Sequence, residues 1–389
     1  MDALIEQSAV DRALVVAESS RARVLAERLG RAVPPRRRVS SVESFMKAAR
    51  ESGMTFMAYW LAPARSFLWV ITPKARKLYV LPPKAEIESL VRSYQAVVDA
   101  SRDPLESVPP AAARLYASLI APAQELLPSG SSVVIIPDGE LYNLNFETLP
   151  VPGEKPHYWI EDATIAVAPS LAIPHARPMP VSLRSVLLIG NPAQAAAEYP
   201  PLPHAGAEIH NVEQRLARLQ RTVYEGPQAE PSVYRAANPG KYSIIHFAAH
   251  ALANRDSPLE SAIILSPAGD TFKLYARDVM DTPLAADLVT LSACRSAGAR
   301  VYAGEGLVGF TWAFLQAGAR HVIAGLWDVN DVSTAQLMDQ LYAQIGQGKS
   351  PVKALREAKL AMIHSQSNFR KPYYWGAFQV YVGGGTGRR

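Results

Sequence analysis

Cysteine is the scarcest residue in this chain: Cys294 is the only one among 389. A single thiol excludes an intramolecular disulfide framework and suits a reducing compartment. Long apolar runs are missing as well. No window reaches the roughly 18 uncharged apolar residues from which a membrane-spanning helix is made. Residues 1–21 scatter Asp2, Glu6, Asp11, Arg12 and Glu18 among apolar ones and contain no uninterrupted apolar segment of the kind a secretory leader needs. The expectation is a soluble, cytoplasmic protein that does not bind a membrane. The net charge is only +5, and the clusters Arg36-Arg37-Arg38 and Arg388-Arg389 have no aromatics interleaved among them. That reads as a solvated surface and not as a groove for nucleic acid. No internal repeat of about 20–50 residues and no Walker-type phosphate loop is present.

What the chain does have is apolar content, 49%, enough for a large core and two or three domains. Residues 1–52 read as a short helical lead-in, with Leu4, Ile5, Val10, Leu14, Val15, Val24, Leu25 and Leu29 at helical steps and a second piece at 42–51 that stops before Gly53. Over 53–180 the period changes. Short β-rich runs at 54–61, 67–72 and 77–81, punctuated by Pro63, Pro73 and Pro82-Pro83, predict an antiparallel meander. Amphipathic helices follow at 84–100 and 111–127, then an apolar strand at 132–136 closed by Pro137-Asp138-Gly139 and a sheet segment at 163–167. Four prolines within 169–180 mark a linker.

From 181 to 389 strands alternate with helices. Strands are expected at 185–189, 222–224, 243–249, 288–293, 321–326 and 378–382, and a hairpin arm at 262–265. Helices are expected at 205–219, 231–237, 306–318, 333–345 and 351–364. This alternation predicts an α/β fold with a mostly parallel sheet flanked by helices.

Two of those strands end in groups with chemistry. His250 and Cys294 each stand one residue past a predicted strand, and in open α/β sheets reactive groups collect outside the carboxyl ends of the strands. A thiol of ordinary pKa, about 8.5, is mostly protonated at neutral pH, and a nearby imidazole takes that proton and frees the nucleophile. The alternative for a lone cysteine is a small buried hydrophobe. His246 lies four residues before His250, but within a strand and without further ligands in the pattern, so it reads as a buried histidine and no metal is expected.

A second motif competes. Gly304-Glu305-Gly306-Leu307-Val308-Gly309 matches G-x-G-x-x-G, opens a predicted helix, and is followed 19 residues later by Asp328. That pattern keeps a nucleotide-binding oxidoreductase as an alternative. Ten residues separate Ala293 from Gly304, however, whereas fingerprint glycines follow their strand at once. Glycines that turn a loop and bring a helix close to the sheet are the simpler reading.

Six motifs in fixed order carry a family resemblance: Ile245-His246-Phe247-Ala248-Ala249-His250, Leu291-Ser292-Ala293-Cys294, Gly304-Glu305-Gly306-Leu307, Gln316-Ala317-Gly318-Ala319, Leu326-Trp327-Asp328-Val329-Asn330-Asp331 and Tyr373-Tyr374-Trp375-Gly376-Ala377-Phe378. Together they resemble the CHAT domain, a caspase-like domain often attached to tetratricopeptide repeats. Pro137-Asp138-Gly139 with Leu141 and Phe146 is similar to the region that precedes the catalytic half of that family. The likeness makes 53–180 a non-catalytic α+β half plus linker, 181–389 a caspase-like catalytic half, and 1–52 similar to the end of a helical repeat array.

The resemblance implies a cysteine endopeptidase related to caspases and separase, with His250 and Cys294 as a dyad. It implies an oxyanion hole from the backbone N–H groups of Ala251 and Cys294, and no cofactor or metal. It also implies a protein substrate and control by a regulatory or helical-repeat partner, in bacterial defence or signalling. The loop of Trp327, Asp328 and Asp331 takes the place that lines the S1 pocket, where an acid favours a basic P1 residue and Trp327 forms an apolar wall. The alternative for Asp331 is a helix cap ahead of Ser333-Thr334. Two departures stand out: Ala251 where the family usually has Gly, and Arg295-Ser296 where relatives carry Glu-Thr. They leave a catalytically silent scaffold as a further reading.

Overall fold

The computed structural model describes residues 1–28, 41–171, 183–254, 256–293, 300–302, 306–328 and 330–383. Residues 172–180 of the expected linker, the arginines at 36–38 and those at 388–389 lie outside the described residues. The chain divides into two compact units, Met1–Pro178 with Val301–Gly306, and Met179–Arg300 with Leu307–Arg389. Each has its own buried core.

The first unit opens with helices α1 (Asp2–Glu6), α2 (Val10–Arg28) and α3 (Val42–Ser52). Local chemistry sets the limits of α3. Ser41 accepts from Ser44 N–H at its start, and Gly53 ends it in the left-handed conformation at φ 70, which a residue without Cβ adopts at little cost. Its inward stripe is Val42, Phe45, Ala48 and Ala49.

Strands β1 (Thr55–Trp60), β2 (Ser66–Ile71) and β3 (Arg76–Leu81) form the expected antiparallel meander. After helices α4 (Lys84–Asp99) and α5 (Pro110–Leu119), β4 (Ser131–Ile136) and β5 (Ala163–Val167) join in parallel, giving the order β3-β2-β1-β4-β5. At the turn after β4, Asp138 Oδ2 accepts from Leu61 N–H at 2.7 Å.

Helix α2 is fastened by a buried ion pair. Arg21 is 2% exposed and Glu18 is 5% exposed. The Arg21 guanidinium donates to Glu18 and to the Tyr59 carbonyl, and Glu18 Oε2 accepts from Ser170 Oγ at 2.9 Å and from Leu171 N–H at 2.7 Å. A carboxylate taken out of water is tolerated when its lone pairs are met in this way.

The second unit holds β6 (Ser185–Pro192), β7 (Gln220–Gly226), β8 (Ile244–Ala248), β12 (Leu288–Ser292), β13 (His321–Gly325) and β14 (Phe378–Val382) in the order β14-β13-β12-β8-β6-β7. All pairings are parallel except β13 with β14. Every residue of β8 and β12 is buried, as unbroken apolar runs such as Ile244-Ile245 and Leu288-Val289 require of strands covered on both faces. Helices α6 (Ala205–Arg215), α7 (Phe310–Ala317), α8 (Asp331–Gly346) and α9 (Pro351–Ile363) supply cover. The hairpin arm is a small antiparallel sheet of β9 (His250–Leu252), β10 (Ala262–Ala268) and β11 (Thr271–Tyr275).

The expected helix at 306–318 begins later. Gly306–Val308 is a short strand, and Gly309 at φ 148 holds the chain outside helical angles, so α7 starts at Phe310. The strand at 222–224 is longer than its composition suggests, because β7 pairs along β6 from Gln220 to Gly226. Among the described residues, no helix is long and apolar enough to cross a membrane.

A Glu18→Leu variant strands the Arg21 charge in the core. Losing one member of a buried pair costs about 3–5 kcal/mol, to be read as a fall in the urea midpoint for the loss of α2. A midpoint unchanged from wild type would show that the pair does not hold this helix.

Candidate active site

Strands β8 and β12 are hydrogen-bonded neighbours, running parallel with Ile244 opposite Leu288 and Ala248 opposite Ser292. Every pair in that register differs by 44 in number, which is also the separation of His250 and Cys294. His250 stands two residues beyond the end of β8 and opens β9, opposite Ile264 of the arm. Ala251 follows it, opposite Ile263. Cys294, Arg295 and Ser296 lie outside the described residues, as do Gly304 and Glu305 of the glycine motif. Gly306, the second glycine of that motif, is in extended strand and not in a phosphate-binding turn.

The His250 ring is half-buried and its Nε2 lies 2.7 Å from the Pro200 carbonyl oxygen. A carbonyl only accepts, so Nε2 carries a proton, and in the neutral form of the ring Nδ1 is the lone-pair nitrogen. This is the tautomer a general base needs when its partner approaches Nδ1. The Tyr199 ring, 6.2 Å from that of His250 and 6.2 Å from that of Phe272, packs beside it. A small cavity borders His250, lined by Asn191, Gln194, Tyr199, Leu202 and Ile264 among others. Its loop is tied to the arm where Ala193 N–H donates to Ser266 Oγ at 2.9 Å.

Glycines flank the two strands on either side. A Cβ on Gly190 of β6 would sit 2.7 Å from the Ala248 carbonyl oxygen and 2.9 Å from Ile209 Cδ1. One on Gly325 of β13 would sit 3.2 Å from the carbonyl oxygen of Ala293, the residue before Cys294. Gly190 lets the neighbouring strand approach more closely than a side chain allows, and Gly325 leaves room for a side chain only with a small shift.

Below the rim, on one face of the sheet, lies a buried polar group. His246 and Thr290 are register partners on β8 and β12. Tyr342 of α8 donates its hydroxyl to Thr290 Oγ1 at 2.9 Å and lies 3.1 Å from His246 Nδ1. Glu208 Oε1 of α6 is 2.9 Å from His246 Nε2, close enough for an ion pair although not aligned as a hydrogen bond. Burial, with the Glu208 charge adding to it, pushes the Tyr342 hydroxyl well above the usual phenol range, so it stays neutral and bridges the strands. His246 is thus a buried histidine, as its place in the strand suggests. Glu208 and Tyr342 were not anticipated. The available signal was Glu208 itself, an acid inside the apolar stripe of Ala205, Ile209 and Val212.

The loop expected to form S1 is only partly exposed. Trp327 is 5% exposed and its indole N–H donates to the Tyr373 carbonyl at 3.0 Å. Asp328 is exposed. Asn330 is the cap of α8, accepting from Ser333 N–H, and Asp331 is the first residue of the helix. The Asp331 carboxylate reaches the other way and accepts from His204 N–H at 2.9 Å.

The CHAT domain model matches residues 109–384. Tetratricopeptide repeat protein 28 of Mus musculus is 26% identical, over 75% of this chain and 14% of that protein, and its Homo sapiens counterpart is 25% identical with the same coverage. The chain therefore spans a small part of the curated relatives it matches. Among solved structures, the Saccharomyces cerevisiae separase–securin complex is similar with a TM-score of 0.66 at 10% identity, covering 97% of this chain and 34% of that one. At that identity the likeness speaks for the fold, which is caspase-like.

Gly190→Ala places a methyl in contact with backbone that has no freedom to yield. The expected loss is about 1–3 kcal/mol, with a smaller one for Gly325→Ala, where a shift of a few tenths of an ångström suffices. Thermal unfolding of the two variants checks the order, and a Gly190→Ala protein as stable as wild type would refute the tight approach.

Proposed function

Because this chain belongs to the CHAT domain family, we propose that it is a cysteine endopeptidase acting on a protein through His250 and Cys294. The observation that carries this reading is the parallel pairing of β8 with β12, whose carboxyl ends are neighbours, with His250 two residues beyond the end of β8. The His250 tautomer set by Pro200 supports it.

In the proposed reaction, His250 Nδ1 takes the proton of the Cys294 thiol, and the thiolate attacks the scissile carbonyl. Backbone N–H groups of Cys294 and Ala251 hold the oxyanion. His250 then gives its proton to the leaving amine as the C–N bond breaks. Water, deprotonated by the same imidazole, hydrolyses the thioester and restores the thiol. The half-exposed setting of His250 admits that water.

Asp328, an exposed acid that follows Trp327 in the chain, supports a basic P1 residue. Asp331, the first residue of α8 after that loop, has its carboxylate engaged by the His204 N–H. Control by a partner protein is consistent with relatives that are tetratricopeptide repeat proteins and with a structural neighbour bound to securin. A cytoplasmic role in bacterial defence or signalling completes the proposal. A silent scaffold is the second reading, favoured by Ala251 in place of the family's Gly, since Ala lacks glycine's backbone freedom at the oxyanion position.

Cys294→Ala is expected to lower cleavage of a processed partner at least about a thousandfold, and unchanged processing would end the peptidase reading. A thiol-directed peptide probe should label Cys294 in wild type and fail in His250→Ala. Labelling that ignores His250 would favour the scaffold. A peptide library should show enrichment of Arg or Lys at P1, and a flat profile would remove the S1 assignment.

A further inference from the structure

Residues 200–204 read Pro-Pro-Leu-Pro-His. Three prolines in five residues remove three backbone donors and fix φ at each, so the segment is stiff and offers only the N–H groups of Leu202 and His204. Its two ends are nevertheless held. At one end the Pro200 carbonyl receives His250 Nε2–H at 2.7 Å. At the other the His204 N–H goes to Asp331 Oδ2 at 2.9 Å. His204 is the residue at the start of α6, and Asp331 is the first residue of α8, so one carboxylate serves the positive ends of two helices. Further along, Glu208 of α6 reaches His246 of β8, and a Cβ on Gly206 would lie 2.8 Å from Asn191 Nδ2 at the near end of the same loop.

We infer that Asp331 is a positioning residue for His250: through His204 and the proline strut it fixes the Pro200 carbonyl that selects the imidazole tautomer. This inference rests on the peptidase reading for its kinetic consequence, but not for its structural one. It also separates Asp331 from substrate binding. If the carboxylate instead met a basic P1 side chain, its charge would matter and its hydrogen bond to His204 would not.

The test uses the full chain labelled with 15N in its imidazoles, with the His250 signals assigned by difference from His250→Ala. Wild type should show the Nε2–H tautomer alone. Asp331→Ala should show a mixture of both tautomers and a kcat lowered about 10–100-fold, with KM within about twofold. Asp331→Asn, which keeps a carbonyl oxygen for His204 N–H, should restore the single tautomer, most of kcat and the wild-type P1 profile. Pro203→Gly, which loosens the strut without touching Asp331, should reproduce the tautomer mixture, and this second variant covers the case in which Asp331→Ala does not fold. A single tautomer in both Asp331→Ala and Pro203→Gly would overturn the inference. So would an Asp331→Asn protein that keeps the tautomer yet loses selectivity for basic P1. Failure of the peptidase reading would appear separately, as processing indifferent to Cys294→Ala, while the tautomer measurement would still decide the role of Asp331.

Discussion

The pairing of β8 with β12 is the constraint on which the rest of the second unit depends. Both strands are buried on both faces, so neither is free to slide by one residue without exchanging the environments of every side chain. His246 would trade places with Phe247, and a polar group would enter the aromatic cluster that Phe247 forms with Tyr234 and Phe314. The register is therefore set by packing and polarity several residues away from the rim. Where the chain leaves the sheet, the offset between the strands is already decided.

The polar group of Glu208, His246, Tyr342 and Thr290 adds a second condition on the same pairing. These side chains are buried, and a buried polar atom left without a partner is costly. They come from two strands and two helices, so the helices are placed by the needs of the strands. α6 in turn begins at Ala205, directly after the proline segment. The arrangement joins the interior of the sheet to the loop at its rim by short steps, each an ordinary contact between neighbours.

Much of this was legible in the sequence, and the reasons for the gaps are physical. The alternation of strands and helices, the meander at the start and the arm after His250 all follow from periodicity and turn residues, and the structure has them. That β8 and β12 are neighbours was only a condition in the sequence, because pairing is a tertiary fact. The glycine motif misled about where α7 begins, since a pattern of glycines does not reveal that Gly309 has a φ no helix accepts. The carbonyl of Pro200 could not be found at all: every residue has a carbonyl, and only the fold selects this one. Asp331 was visible as an acid near a helix start, but its partner is a backbone amide far earlier in the chain. Backbone groups leave no mark on composition, so a site built partly from them is only half written in side chains.

The order of strands in the first unit bears on where this fold can be cut. The family match begins at residue 109, after β1, β2 and β3. Yet β1 is the strand that pairs with β4, so a fragment trimmed to the match would leave β4 with a row of bare amides and carbonyls. It would also lose the Tyr59 carbonyl and the helix that carries Glu18, leaving Ser170 and Leu171 without the carboxylate they donate to. The limits of the family match and of the strand pairing therefore differ: β1 lies before the first and inside the second. The stretch that escapes the family pattern is as much a part of the protein's architecture as the stretch that matches it.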